Sequence, residues 1–271
     1  MPAVPLDCTL NHYLCPPDMP VASFLDLAAT HGFTGIALTV RSLTECPARQ
    51  LAPMLRARGL SVSSVNSAGY FFFEAGQAHE QAARNEWLLA QAAELGNTAL
   101  NVIVGGSMAL DLHEARQRAI EHLHGFAAKA RARGVRLLIE PFHPILNRTK
   151  SPLTTITECI ELCTAIPGLL LNLDLFHSWW DPSIDWAVSA GAAHVGVLQI
   201  CDVHCAPDTG LPVRVPLGEG ILPWERYVTM FRNAQPARPV ELELFIDRMP
   251  GRDATVLTRQ SAALIAGLRS A

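Results

Sequence analysis

The stretch LLIEPFHP, residues 137–144, runs three aliphatic residues into Glu140 and then into a proline. An uninterrupted aliphatic run is typical of a parallel strand that is buried on both faces. An ionised carboxylate at the end of such a strand is costly unless a cation or several hydrogen bonds compensate it. The stretch therefore predicts a buried strand that ends on a compensated carboxylate, Glu140.

Aliphatic runs of the same kind alternate with amphipathic segments along nearly the whole chain. The predicted strands cover residues 6–14, 35–40, 60–66, 98–104, 135–140, 169–174, 194–200 and 239–244. Several of the helical segments between them end at glycine, as helix C-termini often do. Eight strands that alternate with helices indicate a parallel sheet covered on both faces.

The length and the even composition favour one closed barrel. A single (β/α)8 TIM barrel commonly occupies about 250 residues, and this chain has 271 residues without a break that would mark a linker. An open, doubly wound sheet is the competing fold, but no GxGxxG sequence follows the first predicted strand. We therefore predict a single α/β domain, a (β/α)8 TIM barrel over residues 1–271.

The composition argues against several classes of protein. With 49% hydrophobic and 17% charged residues the chain buries a large core, and its net charge of -4 disfavours a nucleic-acid partner. No apolar run approaches the roughly 18–20 residues of a membrane span, and no basic segment precedes an apolar one at the N-terminus. Seven cysteines without a CxxC pair fit reduced thiols. We expect a cytoplasmic protein without a membrane or nucleic-acid partner.

Polar side chains stand where the predicted strands end. In a TIM barrel the C-terminal strand ends form the reactive face, and here they carry Asn66, Glu140, Asp174, Gln199 and Glu243. Several carboxylates so close together repel one another unless a cation lies among them. The sequence therefore predicts a divalent metal held by Glu140, Asp174, Gln199 and Glu243. Oxygen ligands favour Mn²⁺ or Mg²⁺, with Co²⁺ as a further candidate.

A second glutamate, Glu241, shares a strand face with Glu243 because side chains alternate along a strand. Glu243 lies nearer the C-terminal end and is the predicted ligand. Glu241 is expected one layer deeper, paired with an arginine or with a buried polar group.

Other polar and aromatic residues near these strand ends are candidates for substrate contacts. A hydrogen-bonding role in the wall of a pocket explains each of these histidines equally well, and packing in the core explains Trp180 equally well. The predicted substrate-binding residues are His12, Asn66, His143, Arg148, Lys150, Trp180, Asp202 and His204, and His177 is predicted to be catalytic.

Five stretches resemble the sugar phosphate isomerase/epimerase superfamily with its xylose-isomerase-like barrel. They are LLIEPFHP (137–144), LNLDLFHSWWDP (171–182), VLQICDVH (197–204), PLGEGILPWERY (216–227) and VELELF (240–245). Similar members include hydroxypyruvate isomerase, ketose 3-epimerases, inosose dehydratase and isomerase, 3-dehydroshikimate dehydratase and lyases of 3-oxo-glycosides. The resemblance implies the same four metal ligands.

One departure within that superfamily concerns Gln199. Ketose 3-epimerases usually have histidine there, and glutamine resembles the hydroxypyruvate-isomerase and dehydratase branches. DNA-repair endonucleases with this fold need several more histidines and a basic surface, and this sequence has neither.

The predicted chemistry is proton abstraction next to a carbonyl. A metal that chelates a substrate's carbonyl and hydroxyl acidifies the neighbouring C–H, and Glu140 and Glu243 would form the acid/base pair. The sequence thus predicts an isomerase or epimerase of a keto-sugar, cyclitol or small hydroxy-ketone. A lyase or dehydratase that expels a β-substituent is the alternative, and a non-catalytic sugar-binding barrel is a third reading. An unphosphorylated substrate is favoured, and homo-oligomerisation is left open.

Overall fold

The computed structural model describes residues 7–72, 75–96 and 98–268. Its strands are β1 Cys8–Asn11, β2 Gly35–Thr39, β3 Ser61–Gly69, β4 Ala99–Ile103, β5 Arg136–Ile139, β6 Leu169–Asp174, β7 Val195–Ile200, β8 Asp202–Cys205, β9 Pro212–Val215 and β10 Val240–Leu242. Its α-helices are α1 Val21–Thr30, α2 Val40–Glu45, α3 Ala48–Arg58, α4 Ala75–Leu95, α5 Leu112–Ala132, α6 Ile156–Ala165, α7 Leu175–Ser178, α8 Ile184–Ala187, α9 Trp224–Ala234 and α10 Ala254–Gly267.

Eight parallel strands close into a barrel in the order β1, β10, β7, β6, β5, β4, β3 and β2. The predicted TIM barrel is therefore confirmed. The predicted strand 169–174 coincides with β6, whereas β3 continues three residues beyond its predicted end at Asn66. The first predicted strand, 6–14, is shorter because a 3-10 turn begins at His12, and its first residue lies outside the described residues. The predicted domain 1–271 likewise extends beyond the described residues at both ends.

Short-range hydrogen bonds fix several helix ends. The side chains of Thr39, Asp111 and Thr155 accept backbone N–H groups at the starts of α2, α5 and α6. Such N-caps satisfy donors that have no partner inside the helix. Helix α3 ends at Gly59, whose φ of 67° lies in the left-handed region that glycine adopts without strain.

An antiparallel pair, β8 and β9, lies outside the barrel between β7 and α9. The sequence did not predict it, because each strand has only four residues and interrupts its apolar residues with charged or polar ones. Short strands of this kind lack the aliphatic run that identifies a barrel strand.

The main apolar core fills the space between the helices and the outer face of the barrel, with Phe24, Trp224 and Phe231 among its fully buried members. A smaller apolar cluster lies apart from it and contains Ala99, Leu138 and Val197, with Leu170 packed against them. In the parts of the chain that the structure describes, no helix combines the length and apolar character that crossing a bilayer requires.

Above the small apolar cluster the barrel interior is polar. Seven buried residues from six strands form a closed ring of hydrogen bonds, each 2.7–3.2 Å long. In order around this polar ring they are Ser64, Asn66, Asn101, Glu140, Asn172, Gln199 and Glu241. Two of the predicted metal ligands, Glu140 and Gln199, are members of this ring, which therefore lies at the C-terminal end of the barrel.

Candidate active site

The four predicted metal ligands lie together at the C-terminal end of the barrel. Asp174 ends β6 and is in register with Gln199 on β7. Glu140 directly follows β5, and Glu243 directly follows β10. The four strands are consecutive in the barrel, and all four side chains are buried. The structure thus brings these residues together, while metal binding by them stays a prediction.

His177, the third predicted catalytic residue, belongs to the same cluster. Its Nε2 lies 3.7 Å from Glu140 Oε1 and 3.9 Å from Asp174 Oδ2. Burial lowers the pKa of His177 to about 3, so its ring is neutral near neutral pH. The backbone N–H of His143 donates to Nδ1 at 3.4 Å, which assigns the ring proton to Nε2. Ligand atoms of His177, Glu140 and Asp174 lie within 4.8 Å of one another, so this histidine is also placed where it could bind a metal ion.

A buried arginine that the sequence did not predict, Arg214 on β9, completes the cluster. Its guanidinium forms an ion pair with Asp174, lies 3.2 Å from Glu243 Oε2 and donates to the backbone carbonyl of Glu243 at 3.0 Å. The same group lies over the rings of Phe176 and Phe245, at 4.7 and 5.2 Å from their centroids. Stacking and ion pairing together hold it in one orientation.

The carboxylates of the cluster are incompletely compensated. Burial, and then the charge of Asp174, raises the pKa of Glu140 to about 8. Burial also raises the pKa of Glu243 well above its usual range, although Arg214 opposes the rise. Among the described residues, one guanidinium thus faces three buried carboxylates. This donor set fits a divalent cation, because such an ion would favour the charged forms that burial disfavours.

Two asparagines, Asn101 and Asn172, support Glu140 from the polar ring. Both donate Nδ2 to Glu140 Oε2, at 3.0 and 3.2 Å. Their Oδ1 atoms are buried and have no hydrogen-bond partner among the described residues. Buried acceptors without partners are rare in folded proteins. Asn101 is also one of the residues that line the cavity described next.

A cavity of about 450 Å³ opens above the cluster. Its polar lining includes Glu140, Glu243, His177 and Arg214. Aromatic rings form much of its wall, including Tyr13, Tyr70, Phe142, Phe176 and Phe245. This volume suits a small molecule.

Two of the predicted substrate-binding residues, Asn66 and Lys150, line this cavity. The Lys150 ammonium lies 5.9 Å from the centroid of the Tyr70 ring. Neither Lys150 nor Arg248, a second cation of the lining, forms an ion pair with any residue that the structure describes.

Three other predicted contact residues are not among the described residues that line the cavity. Trp180 donates its indole N–H to the carbonyl of His177 at 2.9 Å, and its ring packs edge-on against His143. Arg148 donates to the carbonyls of Leu110 and Met108, at 2.6 and 2.8 Å. These contacts hold the loops after β4 and β5, so a direct substrate contact by these residues stays a prediction.

The remaining three are farther from the cluster. His12 is buried against Phe24 and hydrogen-bonds through both ring nitrogens, to Thr39 Oγ1 at 3.1 Å and to Arg41 at 3.3 Å. Asp202 accepts the backbone N–H groups of Val203, Gly218 and Leu222, and so holds the glycine-containing loop in place. His204 is exposed on β8. Roles in substrate binding for these residues also stay predictions.

Three residues of the site were not predicted from the sequence: Arg214, Asn101 and Asn172. The asparagines do leave a signal, because each interrupts an aliphatic strand, in TALNVIV and LLLNLD. Asn172 also shares a strand face with Asp174, two residues away. Arg214 leaves no comparable signal, because its position depends on a strand pair that the sequence did not predict.

A closed parallel barrel with buried carboxylates at its C-terminal strand ends defines the class of TIM-barrel proteins whose sites lie on that face. The family described as "Xylose isomerase-like TIM barrel" matches residues 25–267, and the chain belongs to it. The resemblance seen in the sequence is thereby confirmed. A search of curated protein sequences found no match.

Solved structures share the fold at low sequence identity. The IolI protein with a bound zinc atom is 16% identical, with a TM-score of 0.80 over 97% of this chain and 98% of that one. The probable 3-DHS dehydratase AsbF of Bacillus anthracis is 17% identical, with a TM-score of 0.74 over 96% and 98%. D-psicose 3-epimerase of Clostridium cellulolyticum, crystallised with D-tagatose, is 16% identical, with a TM-score of 0.75 over 97% and 98%. The neighbours thus include an epimerase and a probable dehydratase.

Proposed function

We propose that the protein is a divalent-metal-dependent isomerase or epimerase of a keto-sugar, cyclitol or small hydroxy-ketone. One observation carries the proposal: Glu140 and Glu243, both with raised pKa, line one small cavity from strands three steps apart in the barrel. Carboxyl groups whose pKa approaches the working pH are effective general acids and bases. Their separation around the ring lets them reach a small ligand from two sides.

The metal would be held by Glu140, Asp174, Gln199 and Glu243. When bound, it supplies electrophilic stabilisation of negative charge on a substrate oxygen. The mostly oxygen-bearing donor set favours Mn²⁺ or Mg²⁺, with Co²⁺ as a further candidate. Zinc also belongs among the metals to test, because the IolI protein of the same fold holds zinc.

The chain's own residues would divide the remaining work. One of Glu140 and Glu243 removes the proton next to the substrate carbonyl, and the other returns a proton to the resulting enediolate. The Arg214 guanidinium, already aligned by its two phenyl neighbours, supports negative charge beside Glu243. His177 presents a proton on Nε2 to a substrate oxygen. Asn101, which lines the cavity, holds the Glu140 carboxyl in place by donating to its Oε2.

A lyase is the second candidate, because the same enediolate can expel a β-substituent instead of being reprotonated. The cluster allows it, since a neutral His177 can donate a hydrogen bond from Nε2 to a departing oxygen while a carboxyl group of raised pKa, Glu140 or Glu243, supplies the proton. The probable dehydratase among the structural neighbours is consistent with this alternative. A barrel that binds sugars without turning them over is the third candidate.

Solvent deuterium exchange tests the proposal before the product is known. Purified protein with Mn²⁺ in D₂O is incubated with keto-sugars, inososes and small hydroxy-keto acids, and the C–H next to the carbonyl is followed by NMR. The acids are included because Lys150 and Arg248 line the cavity without ion-pair partners among the described residues. We expect exchange accompanied by an isomeric product.

The possible results separate the three candidates. Loss of water or of a larger leaving group without an isomer would establish the lyase. Bound metal and bound sugar without exchange for any substrate would establish the non-catalytic barrel. A small carbohydrate-like partner follows from the proposal, and the cytoplasmic location stays a prediction.

A further inference from the structure

Glu241, the fully buried glutamate beneath Glu243, uses both carboxylate oxygens as acceptors. Its Oε1 accepts from Asn11 Nδ2 and from Gln199 Nε2, each at 2.7 Å. Its Oε2 accepts from the hydroxyls of Ser63 and Ser64, at 2.8 and 3.0 Å. No arginine, lysine or histidine forms an ion pair with it within the described ranges. Glu241 is thus held by neutral donors alone. Of the two partners expected from the sequence, an arginine or a buried polar group, the structure shows the buried polar group.

This arrangement fixes the amide of Gln199. Its Nε2 donates to Glu241 at 2.7 Å and to Glu243 Oε1 at 3.1 Å, so both amide hydrogens face the β10 side. An amide oxygen and nitrogen are almost equal in size, and only hydrogen bonds distinguish the two orientations. With nitrogen held by two carboxylates, the oxygen must turn the opposite way.

The opposite side is the side of two of the predicted metal ligands, Glu140 and Asp174, whereas Glu243 lies on the β10 side. Gln199 Oε1 accepts from Asn172 Nδ2 at 2.8 Å, and that nitrogen also donates to Glu140 Oε2 at 3.2 Å. Asp174 is in register with Gln199 on the neighbouring strand. The amide oxygen, which is the atom able to bind a cation, therefore faces Glu140 on the side of β6, the strand that ends at Asp174.

We propose that Glu241 is a positioning residue that orients Gln199 so that its oxygen, and not its nitrogen, meets the metal. The inference rests on the metal site of the proposed function. An N–H that donates to a carboxylate also increases the negative charge on the amide oxygen, which strengthens a weak neutral ligand. Outer partners of this kind typically change metal affinity by about 10- to 100-fold.

Isothermal titration with Mn²⁺ alone tests the role without a known substrate. Glu241→Met removes both acceptors at similar volume, and we expect Mn²⁺ affinity to fall about 10- to 100-fold. The side chain in Glu241→Gln keeps one oxygen, which can accept from Asn11 and Gln199. Its NH₂ group can donate to the hydroxyls of Ser63 and Ser64, because a hydroxyl accepts hydrogen bonds as well as donating them. We expect this conservative variant to retain affinity close to that of the wild type.

A double-mutant cycle separates positioning from general damage to the barrel. Gln199→Leu removes the proposed ligand, and we expect Glu241→Met to cause little further loss of affinity in that background. Thermal unfolding of each variant checks folding, and Glu241→Ala serves if the Met variant does not fold.

Three results would overturn the inference: unchanged affinity in Glu241→Met, an equal loss in Glu241→Gln, or additive losses in the cycle. Absence of Mn²⁺, Mg²⁺, Co²⁺ and Zn²⁺ binding by the wild type would overturn both proposals. Metal binding without deuterium exchange would overturn only the catalytic proposal.

Discussion

The two ends of the barrel each hold a cavity, and the two cavities differ in the burial of their charged groups more than in size. Three charged residues of the cavity at the N-terminal strand ends, Asp7, Arg136 and Arg238, are exposed or half-buried. The lower one, at the N-terminal strand ends, has a volume of about 510 Å³, and the upper one about 450 Å³. Hydroxyls in the lower cavity already have backbone acceptors: Thr9 donates to the carbonyl of Val240, and Ser61 to that of Thr34. The upper cavity instead holds buried carboxylates with raised pKa.

This difference shows that volume alone does not locate chemistry in this barrel. A cavity whose hydroxyls have backbone acceptors and whose charged groups reach solvent has little need of a ligand. A cavity with unbalanced buried charge and unpartnered amide oxygens does, because each of these groups is more stable with a partner. If function depends on this uncompensated charge, substitutions at the upper cavity should have large effects and a substitution at the lower cavity a small one.

The largest effect is expected from Glu140→Gln at the upper cavity. The change removes a proposed base and metal ligand while keeping the shape of the side chain. We expect the deuterium-exchange rate to fall about 10²- to 10⁴-fold. Glu86→Gln, at a surface glutamate paired with Lys129, is the matched control and should exchange at the wild-type rate. Equal deuterium-exchange rates in the two variants would show that Glu140 takes no part in the proton transfer.

Arg214→Met tests the compensation of charge in the upper cavity. Removing one partner of a buried ion pair leaves charge uncompensated, and we expect a loss of about 3–5 kcal/mol in the free energy of unfolding without metal. The control is Arg226→Met, which breaks an exposed pair with Asp185 and should cost below about 1 kcal/mol. Urea denaturation measures both. Similar losses in the two variants would mean that the cluster does not depend on Arg214.

Stability of the metal-free protein should fall as the pH rises. The pKa of Glu140 is raised in the folded protein to about 8, so the folded state keeps a proton that the unfolded state releases near pH 4–5. The stabilisation is complete below that range and is lost as the pH rises through about 8. Saturating Mn²⁺ should reduce this pH dependence, because a cation favours the ionised carboxyl groups.

Unfolding temperatures at pH 5.5 and 8, with and without Mn²⁺, provide the measurement. Glu140→Gln, which lacks the titrating group, should show a weaker pH dependence without metal. An identical pH dependence with and without Mn²⁺ would contradict the assignment of these carboxyl groups to the metal site.

The smallest effect is expected at the lower cavity. Ser61→Ala removes a hydroxyl that is bonded only to a backbone carbonyl, and we expect a change in stability within about 0.5 kcal/mol. Mn²⁺ affinity and deuterium exchange should stay at wild-type values. A clear loss of either would show that the lower cavity takes part in function, and that the contrast between the two ends is wrong.

Most of the barrel could be predicted because its strands are buried on both faces, and their aliphatic runs are visible without any contact information. Glu140 and Asp174 could be placed for the same reason, since each ends such a run. The strand pair that carries Arg214 could not, because its two short strands mix charged and polar residues with apolar ones and contain no aliphatic run. Its contact with Asp174, 40 residues away in the chain, depends on how that pair folds over the barrel mouth.

The polar ring has a consequence for folding as well as for the site. Its hydrogen bonds join six strands, β3, β4, β5, β6, β7 and β10, with Glu140 directly after the end of β5. Each side chain of the ring has a fixed position along the barrel axis. If any strand slipped by one residue, its ring member would turn outward into the helix layer and an aliphatic residue would turn inward. An apolar interior would tolerate such a slip more readily than directional hydrogen bonds do. The layer that orients the candidate ligands therefore also selects against misregistered barrels.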